Sequence, residues 1–308
     1  MKVVPVVVAV LVVASLFGTL VWATDSEDEK LDVLIVGGQS NTYATSQIDA
    51  GTATPVPVSG TGYYFGTESA PTYASSISLA DCEMRDLNKG GSAAIGGVYP
   101  AFAAKYVEET GRKIYLIDTG LSGQTVYTFL PGSVNWQYVA DVIAAGIAAI
   151  PSDYDVNVLG YLWIQGEGDS STVTTTYETR MIQLHEAYND GRLVVNLPTC
   201  FIVKVRDTIE SGTVCNAAPA QTYLAEHVDG FVMATTLADT FTVDNGMVGS
   251  DDLHYTQVGC NALGASAAET VSDYAPTTAD YSLLLTAIPI IVLIGAVIVI
   301  GRWVLTRD

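Results

Sequence analysis

Leu31-Asp32-Val33-Leu34-Ile35-Val36-Gly37-Gly38-Gln39-Ser40-Asn41 is the segment on which the architecture of this chain turns. Leu31 to Val36 is a short apolar run ended by glycines, the pattern of a buried strand. Downstream, strand-like and helix-like stretches alternate. Tyr99 to Thr110 reads as a helix, with Pro100 in its first turn and Gly111 at its end. Lys113 to Asp118 reads as a strand, Gln137 to Ile150 as a helix stopped by Pro151, and Val156 to Ile164 as a strand. Thr174 to Asn189 is a predicted helix, Leu193 to Val205 holds a strand, and Ala217 to Glu226 is a helix. Gly230 to Thr235 and Gln257 to Val271 complete the series as a strand and a helix. Such alternation predicts an α/β fold, a parallel sheet covered on both faces. Residues 42 to 95, rich in Gly, Ser, Thr, Pro and Tyr, read as a long surface excursion.

Ligand sites of such sheets lie beyond the carboxyl ends of the strands. Ser40 follows the first strand, Gly120 to Gly123 the second, and Gln165 the third. A serine hydroxyl needs a base to become a nucleophile. The chain has only three histidines. His185 falls mid-helix among polar residues and reads as solvated. His227 ends a helix beside Asp229 and reads as structural. His254 stands just before the last helix with Asp251 three residues ahead, close enough to fold back and fix the imidazole tautomer. The plain alternative for Asp251-Asp252 is a helix cap or an exposed acidic turn. For Gly-Gln-Ser-Asn it is an ordinary turn. Oxyanion donors are expected from the Ser40 N–H, from Gly123 and from the side-chain amide of Gln165. Glu167 and Asp169 read as carboxylates that hold the loop by accepting N–H bonds. A glycosidase using that carboxylate pair would leave Ser40 and His254 unexplained. No metal or cofactor is implied.

Gly38 to Asn41, Trp163 to Asp169 (Trp-x-Gln-Gly-Glu-x-Asp) and Asp251 to His254 together resemble the SGNH (GDSL-type) hydrolases. Within them the chain is similar to the sialate O-acetylesterase-like carbohydrate esterases, over about Leu31 to Val271. The resemblance implies a three-layer α/β/α fold and hydrolysis of acetyl esters on sugars. Ser40 would be the nucleophile, His254 the base and Asp251 its orienter. Ser40, Gly123 and Gln165 would form the oxyanion hole, with Gln39, Asn41 and Glu167 in support. The chain departs from the family pattern at Leu121-Ser122-Gly123-Gln124, where two adjacent glycines are usual, so Gly120 and Ser122 stand as alternatives to Gly123. Thr42 replaces a frequent methionine. The alternative function is a non-catalytic surface structural or glycan-binding protein of a cell or viral envelope.

The two ends differ from this middle. Residues 1–23 join a basic start to an apolar run and read as a signal peptide, an uncleaved anchor being the alternative. Residues 24–272 form the esterase domain and 273–281 a tether. Residues 282–301 are uncharged and long enough to span a bilayer. The basic tail 302–308 favours the cytoplasmic side, which leaves the domain extracytoplasmic on a C-terminal anchor. Asp and Glu number 33 against 13 Lys and Arg, a formal net charge of −20. That balance opposes nucleic-acid binding, which needs a basic surface. It fits either a self-repelling soluble surface or adaptation to high salt. The four cysteines, in an oxidising compartment, suggest disulfides. Cys200 and Cys215, flanking one loop, are the preferred pair. No Asn-x-Ser/Thr acceptor is present.

Overall fold

The structure is a computed structural model that describes residues 29–42, 54–66, 82–88, 95–210 and 212–276. The signal and transmembrane segments expected at 1–23 and 282–301 lie outside these residues. Among the described residues, no helix is long and apolar enough to cross a membrane. The chain divides into two units, Met1–Tyr274 and Ala275–Asp308, and everything below concerns the first.

The apolar run extends to β1 (Glu29–Gly38), at the middle of a seven-stranded sheet. With β2 (Gly62–Phe65), β3 (Arg85–Asp86), β4 (Lys113–Asp118), β5 (Tyr154–Ile164), β6 (Cys200–Val203) and β9 (Phe231–Thr235), the order is β3-β2-β4-β1-β5-β6-β9. Every pairing is parallel except β2 with β3. A separate antiparallel hairpin joins β7 (Thr208–Ile209) to β8 (Thr213–Val214). Five helices of the described residues cover the sheet: α1 (Tyr99–Thr110), α2 (Trp136–Ala148), α3 (Thr174–Asn189), α4 (Ala217–His227) and α5 (Gln257–Ser272). Leu31, Val33 and Ile35 pack in one cluster with residues of α2, α3 and α4. The alternate residues of β1 face α1, where the Tyr106 hydroxyl donates to Asp32 (2.8 Å). α1 and α5 pack together: a Cβ on Gly264 would lie 2.3 Å from the Val98 carbonyl oxygen.

The structure corrects several sequence expectations. The excursion at 42–95 is not free of regular elements, because β2 inserts into the sheet beside β4 with Tyr64 and Phe65 buried. Four residues are too few to show a period, and only pairing with β4 defines that strand. Cys200 and Cys215 are not bonded to each other; with Cys260 they are free thiols. Cys200 is buried in β6, while Cys215 donates its thiol to the Gly166 carbonyl (3.5 Å). His185 is half-buried rather than a solvated surface residue. It packs against Phe231 and Tyr161, and burial lowers its pKa. The apolar reading of β1 hid Asp32, fully buried and matched by Arg112 Nη2 (2.7 Å) and Asn157 (2.9 Å).

Candidate active site

The parallel strands bring the ends of β1, β4 and β5 to one edge, with Val36 opposite Asp118 and Gly38 opposite Ile164. Gly38 has φ +135°, and a Cβ there would sit 2.0 Å from the Ile164 carbonyl oxygen, so the position requires glycine. The Gln39 N–H donates to that same oxygen (3.0 Å). The chain then turns through a single 3₁₀ turn, Ser40–Thr42, closed by the Thr42 N–H and hydroxyl on the Gln39 carbonyl. Ser40 is thereby carried off the end of β1.

The histidine comes from the turn before α5. The true cap of that helix is Thr256, whose side chain accepts from the Gly259 N–H (3.2 Å). Asp251 is therefore available for another task. Its Oδ1 accepts from the N–H groups of Leu253 (3.1 Å) and His254 (3.0 Å). Its Oδ2 lies 2.7 Å from His254 Nδ1, and His254 Nε2 lies 2.9 Å from Ser40 Oγ. Burial pushes the Asp251 pKa up, but the hydrogen bonds from the His254 ring and from the His254 and Leu253 amides outweigh it. The carboxyl ends below its ordinary value.

Asn41 ties the two turns together. Its Oδ1 accepts from the Tyr255 N–H (3.0 Å), and its Nδ2 donates to the Leu253 carbonyl (3.3 Å) and to Glu167 Oε1 (2.5 Å). Gln39 Oε1 accepts from the Gly168 N–H (3.0 Å), joining the serine turn to the Glu167 loop. Glu167 is buried, and its Oε2 has no hydrogen-bond partner among the described residues. Burial raises its pKa despite the bond from Asn41. Asp169 is the loop-holding carboxylate, accepting from the Val126 N–H (2.7 Å) and the Thr172 hydroxyl (2.8 Å).

Gln165 is turned away from the serine. Both hydrogens of its Nε2 are occupied, by the Gln124 carbonyl (3.1 Å) and Asp169 Oδ2 (2.7 Å). Its Oε1 accepts from the Tyr177 hydroxyl (3.1 Å). It has no N–H left for an oxyanion and does not line the cavity at Ser40. The loop after β4 does reach that cavity. The Thr119 and Leu121 N–H groups donate to Val36 (2.8 Å) and Gly38 (2.9 Å), laying the loop across the end of β1. The Gly120 N–H is taken by Asp118 Oδ1 (2.9 Å), whereas Ser122 and Gly123 line the cavity, Gly123 with φ +70°. The cavity holds about 250 Å³ and also touches Ser40, His254, Glu167 and Glu210. Two larger cavities, about 430 and 550 Å³, contain neither Ser40 nor His254.

The sequence reading missed two contributors. Arg206 grips Asp252 Oδ1 through Nη1 and Nη2 (both 3.0 Å) and also bonds the Asp252 carbonyl. Asp252 is held at φ +55°, with its carbonyl also accepting from the Glu210 N–H (3.0 Å). The β7–β8 hairpin thus meets the Asp251 turn and brings Ile209 and Glu210 to the cavity. An arginine following β6 belongs to no motif. The doubled Asp251-Asp252 in a cation-poor chain was the one available signal.

A carbohydrate esterase family model, described as sialic acid-specific acetylesterase, matches residues 30–273. No curated protein matches the chain in sequence. Among solved structures, a protein from Arabidopsis thaliana superposes with a TM-score of 0.54 at 18% identity, over 79% of this chain and 98% of that one. NanS gives a TM-score of 0.53 at 13% identity over 80% and 98%. A carbohydrate acetylesterase from Xanthomonas citri gives 0.52 at 16% over 79% of this chain and 57% of its own. At these identities the superpositions speak for a shared fold. The family match spans far more than half of the sequence, and the chain belongs to the carbohydrate esterase family of sialic acid-specific acetylesterases.

Proposed function

We propose that this protein is a serine esterase that removes O-acetyl groups from carbohydrate through an acyl-enzyme. The observation that carries the proposal is the continuous hydrogen-bonded line Ser40 Oγ–His254 Nε2 and His254 Nδ1–Asp251 Oδ2. His254 takes the hydroxyl proton as Ser40 Oγ attacks the acetyl carbonyl. The Ser40 N–H and the Gly123 N–H, with Ser122 as its neighbour, are the donors for the resulting oxyanion. Collapse expels the sugar oxygen, which receives the proton from the His254 imidazolium. A water then attacks the acetyl-serine with His254 again as base, releasing acetate and restoring Ser40. Asp251 fixes the tautomer with Nδ1 protonated and steadies the imidazolium.

The test is acetate release from p-nitrophenyl acetate and acetylated sugars by the full-length chain. Ser40→Ala should lower kcat by on the order of 10⁴-fold or more. Asp251→Asn should lower it by about 10³–10⁴-fold. A folded wild type that neither turns over nor reacts with a fluorophosphonate would instead favour a glycan-binding or structural role.

The second element of the reading is location. The uncharged run at 282–301 followed by Arg302, Trp303 and Arg307 supports a C-terminal anchor with the domain outside. Deleting 282–308 should move the protein from the membrane to the soluble fraction. A deleted chain that stays in the membrane would refute that anchor.

A further inference from the structure

Resting on the esterase reading, we infer that Ile209 sets which acyl group the site accepts: its side chain closes the acyl end of the Ser40 cavity behind an acetyl methyl and turns longer chains away. Of the described residues that line this cavity, Ile209 and Leu253 carry aliphatic side chains, and the others are polar or glycine. The backbone holds these two close together. The Glu210 N–H, one residue after Ile209, donates to the carbonyl of Asp252, one residue before Leu253 (3.0 Å). They form one apolar corner beside the turn that carries His254. An acetylated sugar has one small apolar end to offer it. The acyl methyl gains by leaving water for an aliphatic wall, whereas a sugar hydroxyl pressed there loses its hydrogen bonds. Ser122 and Ser170, on the loops after β4 and β5, give hydroxyls partners on the other walls. The Ser40 and Gly123 N–H groups take the oxyanion, and the sugar oxygen faces His254 Nε2 to receive its proton. The methyl is left to the aliphatic corner.

That corner is a rigid wall. In β7, Thr208 is exposed and Ile209 buried. Ile209 is 3% exposed, so the faces of its side chain away from the cavity are packed. Its branched Cβ restricts χ1, and the side chain cannot swing aside freely. The hairpin that carries it is pinned at both strands, by the Glu210 N–H on Asp252 and by the Cys215 N–H on the Asp207 carbonyl (2.9 Å). Arg206 holds Asp252 in turn. An acyl chain longer than acetyl meets close-packed atoms there, and displacing them is costly in the way that overpacking a core is.

The decisive comparison varies the acyl group on one leaving group. For the full-length protein, kcat/KM is measured on p-nitrophenyl acetate, propionate and butyrate. The wild type should fall by about tenfold or more from acetate to butyrate, the scale on which a pocket discriminates by methylenes. Ile209→Ala should raise the butyrate-to-acetate ratio by about tenfold. Ile209→Val removes one methyl and keeps the branched Cβ. It should raise the propionate-to-acetate ratio by a smaller factor, and it decides the question if the alanine variant does not fold. Val214→Ala, at a position of the same hairpin that is 66% exposed, should leave both ratios as in the wild type. Ratios that the Ile209 substitutions leave unchanged, or a wild type that takes butyrate as readily as acetate, overturn the inference, while Ser40-dependent turnover of p-nitrophenyl acetate keeps the esterase reading intact. Acetate turnover that survives Ser40→Ala removes both.

Discussion

Glu167 shows how one side chain couples stability to the site. Its pKa is raised by burial, so the folded chain binds the proton more tightly than the unfolded chain, where a glutamate titrates near about 4.3. Its contribution to stability is therefore full below that pH and is lost as pH rises through the raised folded value. Glu167→Gln removes the ionisation and keeps an oxygen to accept from Asn41. The variant should melt higher than wild type at pH 7–8 and nearly level with it at pH 4, as read by thermal unfolding across pH. The residue types at the site were legible in the sequence, because Ser40, Asn41, Glu167, Asp251 and His254 all sit in short motifs. The direction of a side chain was not. Gln165 carries the expected amide, but Tyr177 from α3 and Gln124 from the β4–α2 loop turn it inward, and nothing local to Gln165 announces either neighbour.

The element that positions the histidine is a turn braced from outside. Arg206 and the Glu210 amide hold Asp252 in the left-handed region one residue after Asp251. Arg206→Ala should leave secondary structure intact by circular dichroism and lower kcat by roughly 10²-fold, the scale of a small misplacement of reacting groups. On the other side of that turn, α5 rests on α1 with Gly264 against the backbone at Val98. Gly264→Ala should cost about 1–3 kcal/mol in urea unfolding, as overpacking does. α1, β4 and α3 begin and end where the sequence pattern placed them, with Pro100 and Gly111 punctuating the first. β2 and β3 escaped because a strand of only four or two residues owes its existence to its partners. The cysteines failed as a disulfide signal for a related reason, as burial inside separate elements explains them equally well. The pKa of Cys215 is pushed up to about 11, and those of Cys200 and Cys260 are raised by burial. Reducing agent should leave the melting temperature unchanged, and these three thiols should resist iodoacetamide until the protein unfolds.

At the scale of the whole molecule the formal charge of −20 dominates. Self-repulsion of that size weakens a folded state and is screened by salt. The melting temperature should rise from dilute buffer to molar NaCl; indifference across that range would dismiss adaptation to high salt. The sheet order, which sets β1 at the centre, was not legible in the sequence, because pairing across the sheet leaves no local trace. That order has a consequence for how the protein is made. Ser40 and His254 stand 214 positions apart in the chain yet share a hydrogen bond. At a synthesis rate of roughly 5–20 residues per second, the serine is made about 10–40 s before its base. Until then Ser40 lacks the imidazole on which the proposed nucleophile depends, and the turn before α5 delivers it. On the proposed reading, the hydrogen-bonded site forms only once the turn that carries His254 has been made.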